Sequence, residues 1–163
     1  MMAGELPDWE REAKPLWAWM PGCSLLASIR AYQRHRVRGP WAAPLRLLAV
    51  LRHRFWSVVT GADVPLTLRA GGGLMLPHPN GIVIHPDVEL GPNCMLFQQV
   101  TLGVGGRPGV PRIGTHVDIG AGAKVLGGVT IGDHARIGAN AVVLIDVPPG
   151  LTAVGVPAAL VEH

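Results

Sequence analysis

Two cysteines, two phenylalanines and one tyrosine are all that 163 residues hold of those types, and only 15% of the chain is charged. Cys23 and Cys94 make no disulfide framework; this suits a reducing compartment, and a cytoplasmic location is expected. No uninterrupted apolar run approaches the ~20 residues that a membrane span requires. Residues 1–12 are acidic and lack an apolar core, so no secretory signal is expected there. The histidines lack the short paired spacing of a zinc site and no cysteine pair supplements them, so no metal is expected. No Gly-Lys-Ser/Thr follows either glycine run, which excludes a Walker phosphate loop. No DNA-reading element is recognisable, and nucleic acid is not an expected partner.

What the chain has in excess is glycine and proline, 22 and 15, with most glycines after residue 60. It also has a period. An aliphatic residue recurs every sixth position as Ile84, Leu90, Leu96 and Leu102, then as Ile113, Ile119, Val125, Ile131, Ile137 and Val143. Four residues after most of these stands a small or aliphatic partner, among them Val88, Cys94, Val117 and Ala135. A helix wants 3.6 and a strand wants 2, so a sustained six fits neither. Hexapeptide β-helix repeats fit it, each hexapeptide forming one short side of a triangular coil. Glycine follows the periodic residue at Gly91, Gly103, Gly114, Gly120, Gly132 and Gly138, where it is expected to allow corner conformations that a Cβ resists. The fold class is thus an all-β solenoid over residues 61–163, preceded by a short helical segment over 1–60.

That helical segment carries the basic charge. Residues 1–60 hold nine Lys/Arg against four Asp/Glu, the remainder five against seven, and all five tryptophans precede residue 57. Ser24 is a candidate cap for a first helix with Leu25, Leu26, Ile29 and Tyr32 on its apolar side. Gly39-Pro40 breaks it. A second helix is expected over 41–60, with Leu45, Leu48, Arg52, Phe55 and Val59 on one face. Arg- and Trp-bearing helices can lie on an anionic membrane surface. They can instead pack across the first coil or a partner subunit, and that is preferred, because an open β-helix end must be capped.

The six-residue phase slips twice, and interruptions of a regular repeat are where function is expected. One slip falls between Leu74 and Ile84, at Pro77-His78-Pro79-Asn80-Gly81. The other makes residues 104–111 a protruding loop. After Val143 the pattern ends at Pro148-Pro149-Gly150, leaving a tail over 148–163. His78, in a rigid proline-flanked turn, is suited to act as general base toward a hydroxyl. Asp63, 15 residues earlier and about one coil away, is the candidate to fix its tautomer, and equally a turn cap of the first coil. Cys94 as a nucleophile conflicts with its inward repeat phase. The other histidines, His35, His53, His116, His134 and His163, read as surface residues.

Four stretches together resemble the serine acetyltransferase group of left-handed β-helix acyltransferases: Leu76-Pro77-His78-Pro79-Asn80-Gly81-Ile82-Val83-Ile84, Gln98-Gln99-Val100-Thr101-Leu102-Gly103, Ile119-Gly120-Ala121-Gly122-Ala123-Lys124 and Val154-Gly155-Val156-Pro157-Ala158. The likeness covers roughly residues 60–160. Trp41-Ala42-Ala43-Pro44-Leu45 looks more like the short exopolysaccharide acetyltransferases of the colanic-acid type, within the same group. The resemblance implies a left-handed coil, a homotrimer with its active site between subunits, and transfer of acetyl from acetyl-CoA to a hydroxyl. It implies His78 as catalytic base and Asp63 as its support. It places the backbone at Ala121 and Ala139 on the pantetheine arm and Arg136 near the nucleotide end of CoA. Gly103 and Gly105 join the cofactor contacts, with amides of residues 103–106 steadying the oxyanion.

Two departures from the group's pattern bear on the acceptor. Pro77 stands where serine acetyltransferases carry an aspartate that contacts the amino group of serine. Val110 stands where they carry a second histidine in the protruding loop; His85 and Arg112 are candidate substitutes. A pocket without those groups has lost its grip on a zwitterion. The expected acceptor is therefore a sugar hydroxyl in cell-surface polysaccharide synthesis, with Asn80 and Arg112 as substrate contacts. The alternatives are a serine O-acetyltransferase of cysteine synthesis, and a non-catalytic β-helix that serves as an assembly or membrane-docking module. Peripheral contact with the inner face of the cell membrane through the basic segment is a further expectation.

Overall fold

A computed structural model describes residues 6–15 and 17–161. The first five residues of the acidic start and His163 lie outside the described residues. The body is a three-sided parallel β-helix whose short strands stack into three ladders. Face A stacks Val83–Ile84, Thr101–Gly103, Lys124–Leu126 and Val142–Val143, with Asp63 bridged to Val83 on the open end. Face B stacks Arg69–Ala70, Glu89–Leu90, Arg112–Ile113 and Thr130–Ile131. Face C stacks Met95–Leu96, Asp118–Ile119, Arg136–Ile137 and Thr152–Gly155.

Burial explains why a period of six selects this shape. Leu96, Leu102, Ile119, Val125, Ile131 and Val143 are fully buried, as are the four-residue partners Val88, Cys94, Val100, Val117, Ala123, Ala135 and Ala141. Each column stacks like on like and closes one core through the prism. At ~25 cal/mol per Å² of apolar area, these columns supply the main drive for coiling.

Except at Gly103, the glycine after a periodic residue has a different reason from the one expected. Gly91, Gly114 and Gly120 do not adopt positive φ. They are small because coils approach closely at the corners: a Cβ on Gly91 would lie 2.4 Å from the Gly114 carbonyl oxygen, and one on Gly120 2.7 Å from the Ala139 nitrogen. The left-handed corner positions are held largely by polar residues, Asn93 (φ 62), Gln99 (φ 59), His116 (φ 50), His134 (φ 59) and Asn140 (φ 57). His116 and His134 are therefore corner residues of successive coils, with rings stacked 5.2 Å apart.

Helix α1 spans Pro21–Arg36 and α2 spans Ala43–Thr60, the latter entered through a 3-10 turn at Pro40–Ala42. Ser24 does not cap α1. Pro21 starts it, its fixed φ suiting the first turn, and Ser24 is buried inside the helix. The pair covers the open end of the prism by supplying donors to its carbonyls. Arg30 Nη1 donates to Ala70 O at 2.9 Å while its Nε and Nη2 hold Glu12, whose Oε1 accepts from the Leu74 amide. Gln33 Nε2 donates to Leu68 O at 2.8 Å, and His53 Nε2 lies 2.8 Å from Val64 O. The inward side of α2 is Ala49, His53, Trp56 and Thr60, not the Leu45, Leu48, Phe55 and Val59 face, which is exposed.

Beyond Val143 the chain is more than a tail. Thr152 and Ala153 add a further rung to face C beside Arg136 and Ile137, and Ala158–Val161 folds back on it antiparallel.

Candidate active site

The corner from face C to face A holds the first interruption. Its backbone ladder runs without a break: Gln99 N–H donates to Asn80 O, Gly122 N–H to Gln98 O and Asn140 N–H to Ala121 O, each at 2.8 Å. Asn80, Gln98, Ala121 and Ala139 are thus equivalent corner positions. Val83 lies 18 residues before its partner Thr101, but 20 after Asp63, and Met75 likewise lies 20 before Met95. The two extra residues per coil fall at 77–81, where the chain swells out of the corner. His78 and Asn80 are exposed in this bulge, while Pro79 is buried beneath it.

Asp63 sits at the edge of face A next to that corner, its N–H donating to Ile82 O at 2.8 Å and its C=O accepting from Ile84 N–H at 2.9 Å. No hydrogen bond joins its carboxylate to the His78 ring among the described residues. Asp63 also lines an apolar groove of about 330 Å³ across face A, shared with Val83, Thr101, Gly103 and Val104. Gly103 has open space beside it: an added Cβ would meet only Thr101 Cγ2, at 4.0 Å. Gln98 adds a feature that the repeat pattern hides, since its Oε1 is buried beneath the corner with no partner among the described residues.

The second interruption lies at the opposite edge of face A. Thr101 pairs with Lys124, 23 residues on, so five extra residues protrude within 104–111. The loop is tied down where Arg107 Nη1 donates to Asp146 Oδ2 at 2.9 Å and Asp146 Oδ1 accepts the Thr130 amide at 2.8 Å. These bonds hold the Asp146 carboxyl below its ordinary value, the Thr130 amide contributing most. On the far side of the loop, face B carries a charged groove of about 450 Å³ that includes Arg69, Glu89, Val110 and Arg112.

A single chain therefore does not gather the residues singled out from the sequence. His78, Asn80, Ala121 and Ala139 share one corner, with Asp63 beside it. Gly103 and Gly105 lie at the other edge of face A, Arg112 beyond it on face B. Arg136 is on face C, in a polar groove with Arg11, Asn93 and Asp118. His85 Nδ1 accepts from the Asp87 N–H at 3.2 Å, on the corner from face A to face B. Cys94 is inward and fully buried, and burial pushes its thiol up to about 11, which removes it as a nucleophile at neutral pH.

Residues 111–144 match the family model of the bacterial transferase hexapeptide (six repeats). A serine acetyltransferase of Escherichia coli is 39% identical over 140 residues, covering 83% of this chain and 51% of that protein. The chain belongs to the hexapeptide-repeat transferases of the serine acetyltransferase kind. The structure of Neisseria gonorrhoeae serine acetyltransferase in complex with serine superposes with a TM-score of 0.73 at 38% identity, covering 88% of this chain and 58% of that one. A serine acetyltransferase in complex with CoA gives a TM-score of 0.73 at 36% identity, covering 88% and 58%. The chain thus spans about half the length of these curated relatives. They share its repeat fold; none of them is an exopolysaccharide acetyltransferase.

Proposed function

We propose that the chain is an acetyl-CoA-dependent O-acetyltransferase in which His78 is the general base, with serine the acceptor best supported by its similarity to serine acetyltransferases. The observation that carries the reading is the corner bulge: the repeat swells by two residues and exposes an imidazole on the corner that Gln98, Ala121 and Ala139 continue. The surroundings fit a long, thin thioester. Ala121 and Ala139 leave the corner backbone accessible, and Gly103 leaves open space along face A. Bound acetyl-CoA would supply the acetyl group as an activated thioester. His78 takes the proton of the acceptor hydroxyl as its oxygen attacks the acyl carbon, then returns a proton to the departing sulfur. Asp63 orients the ring once the acceptor is bound, and amides of residues 103–106 steady the oxyanion. No acyl-enzyme is needed when both substrates meet in one site.

Asp63 and Gly103 line one groove of face A in the same chain, so the homotrimer and the left-handed coil are carried by the resemblance alone. The departures at Pro77 and Val110 favour a second reading for the acceptor, a saccharide hydroxyl. Pro77 offers no carboxylate to an ammonium, and Val110 is packed against the core in the charged groove that Arg112 lines. Thiol release from acetyl-CoA decides between them when L-serine and neutral sugars are offered to the same preparation. Turnover with serine alone supports the first acceptor, turnover with sugars alone the second. Acetyl transfer undiminished in His78→Ala would remove the assignment of the base.

A further inference from the structure

The α2 helix leaves an apolar stripe that neither α1 nor the prism covers. Leu47, Leu51, Phe55 and Val58 follow helical spacing on one side and are 54–84% exposed. Arg52 and Arg54 flank the stripe, and Trp41, 67% exposed, stands at the turn where the helix pair reverses. Residues 21–60 contain seven arginines and no aspartate or glutamate. Arg30 is consumed by Glu12; the other six make no ion pair among the described residues. The capping and membrane alternatives raised by the sequence thus divide between two sides of the same helix pair. Arg30, Gln33 and His53 face the coil, and the Leu/Phe/Val stripe with its arginine rim faces away from it.

We propose that this outward face of α2 docks the protein on an anionic lipid bilayer, lying in the interface with Leu51 and Phe55 among the acyl chains and the arginines at the headgroups. Charge complementarity selects the occupant. An apolar strip alone fits any greasy partner, but one rimmed by unpaired cations, in a segment with no acidic residue, fits a negative surface that is polar outside and apolar beneath. No helix among the described residues is long and apolar enough to cross a membrane, and the contact proposed is a surface one. The inference does not depend on which acceptor the enzyme uses.

The test is flotation of the full chain with phosphatidylcholine vesicles, with and without phosphatidylglycerol, at low and high salt. Binding is expected only with phosphatidylglycerol and should weaken with salt. Leu51→Ser with Phe55→Ser, and separately Arg52→Glu with Arg54→Glu, should each lower the bound fraction about tenfold or more. Circular dichroism should show both variants folded, since all four positions are exposed. Equal binding to both vesicle types, or none, would overturn the proposal. So would a fall in the mass of the free oligomer on Leu51→Ser with Phe55→Ser, because a second copy would then be what covers the stripe.

Discussion

One corner of this molecule is built in two ways. At residues 97–99, 120–122 and 138–140 the chain turns from face C to face A in three residues; at 77–81 it takes five. The ladder is the same in both, since Gly81 N–H still reaches Gly61 O at 3.0 Å and Gln99 N–H still reaches Asn80 O. The repeat thus accepts an insertion at a corner as long as the next strand resumes in register. Residues in the regular corners are bound by their neighbours above and below. His78 has no such obligation, and a side chain that the fold does not need is available for chemistry.

The contrast breaks if the regular coil proves soft or the bulge proves structural. Ile119→Ala removes a fully buried side chain from the middle of a column and should lower stability by about 2–5 kcal/mol, read from urea unfolding. His78→Ala should leave the urea midpoint almost unmoved while turnover falls on the order of 10²-fold or more. A large loss of stability in His78→Ala would mean that the bulge is held by its histidine, and the distinction between the two kinds of corner would fail.

Asp63 sharpens the comparison because its two sequence-derived roles predict different rates. Its backbone groups sit in the face A ladder whatever its side chain does. Asp63→Asn keeps shape and removes charge. If it supports His78, turnover should fall roughly tenfold, part of the general-base effect, with the pH dependence of the rate displaced. If it only finishes the first coil, both rate and profile should stay where they are.

The columns were legible in the sequence because each inward slot carries the same constraint in every coil, and Ile113, Ile119 and Val125 satisfy it visibly. The reason for the glycines was not legible, since close approach and positive φ leave the same letter. The left-handed corners were hidden for the opposite reason: Asn93, His116 and His134 look like surface polar residues until their backbone is seen. In α2 the conspicuous apolar residues pointed outward and the buried side went to Ala49, His53 and Thr60, because what the prism end presents is backbone carbonyls. His78 could be singled out because it lies in the slip. The separation of Arg112, Arg136 and Gly103 from it could not, since a six-residue count says that a residue faces outward without saying which of three faces carries it.

The smallest expected effect belongs to the second interruption. The 104–111 loop rests on Arg107, Asp146 and the Thr130 amide, all at the exposed surface, so little global stability is at stake. Asp146 has its folded pKa lowered, so its ionised form is the one that the loop contacts favour. The contribution is therefore complete above the ordinary carboxylate range and is lost as pH falls through the lowered value. Hydrogen exchange at the Thr130 amide reads it directly. Protection relative to the unstructured rate should hold through neutral and mildly acidic pH, then drop once Asp146 is protonated. Asp146→Asn should show the lower protection at every pH, with the urea midpoint unchanged. Were protection at Thr130 equal in the two proteins, the loop would be held by its own antiparallel bridge between Gly105 and Arg107, and the second interruption would be as self-contained as the first.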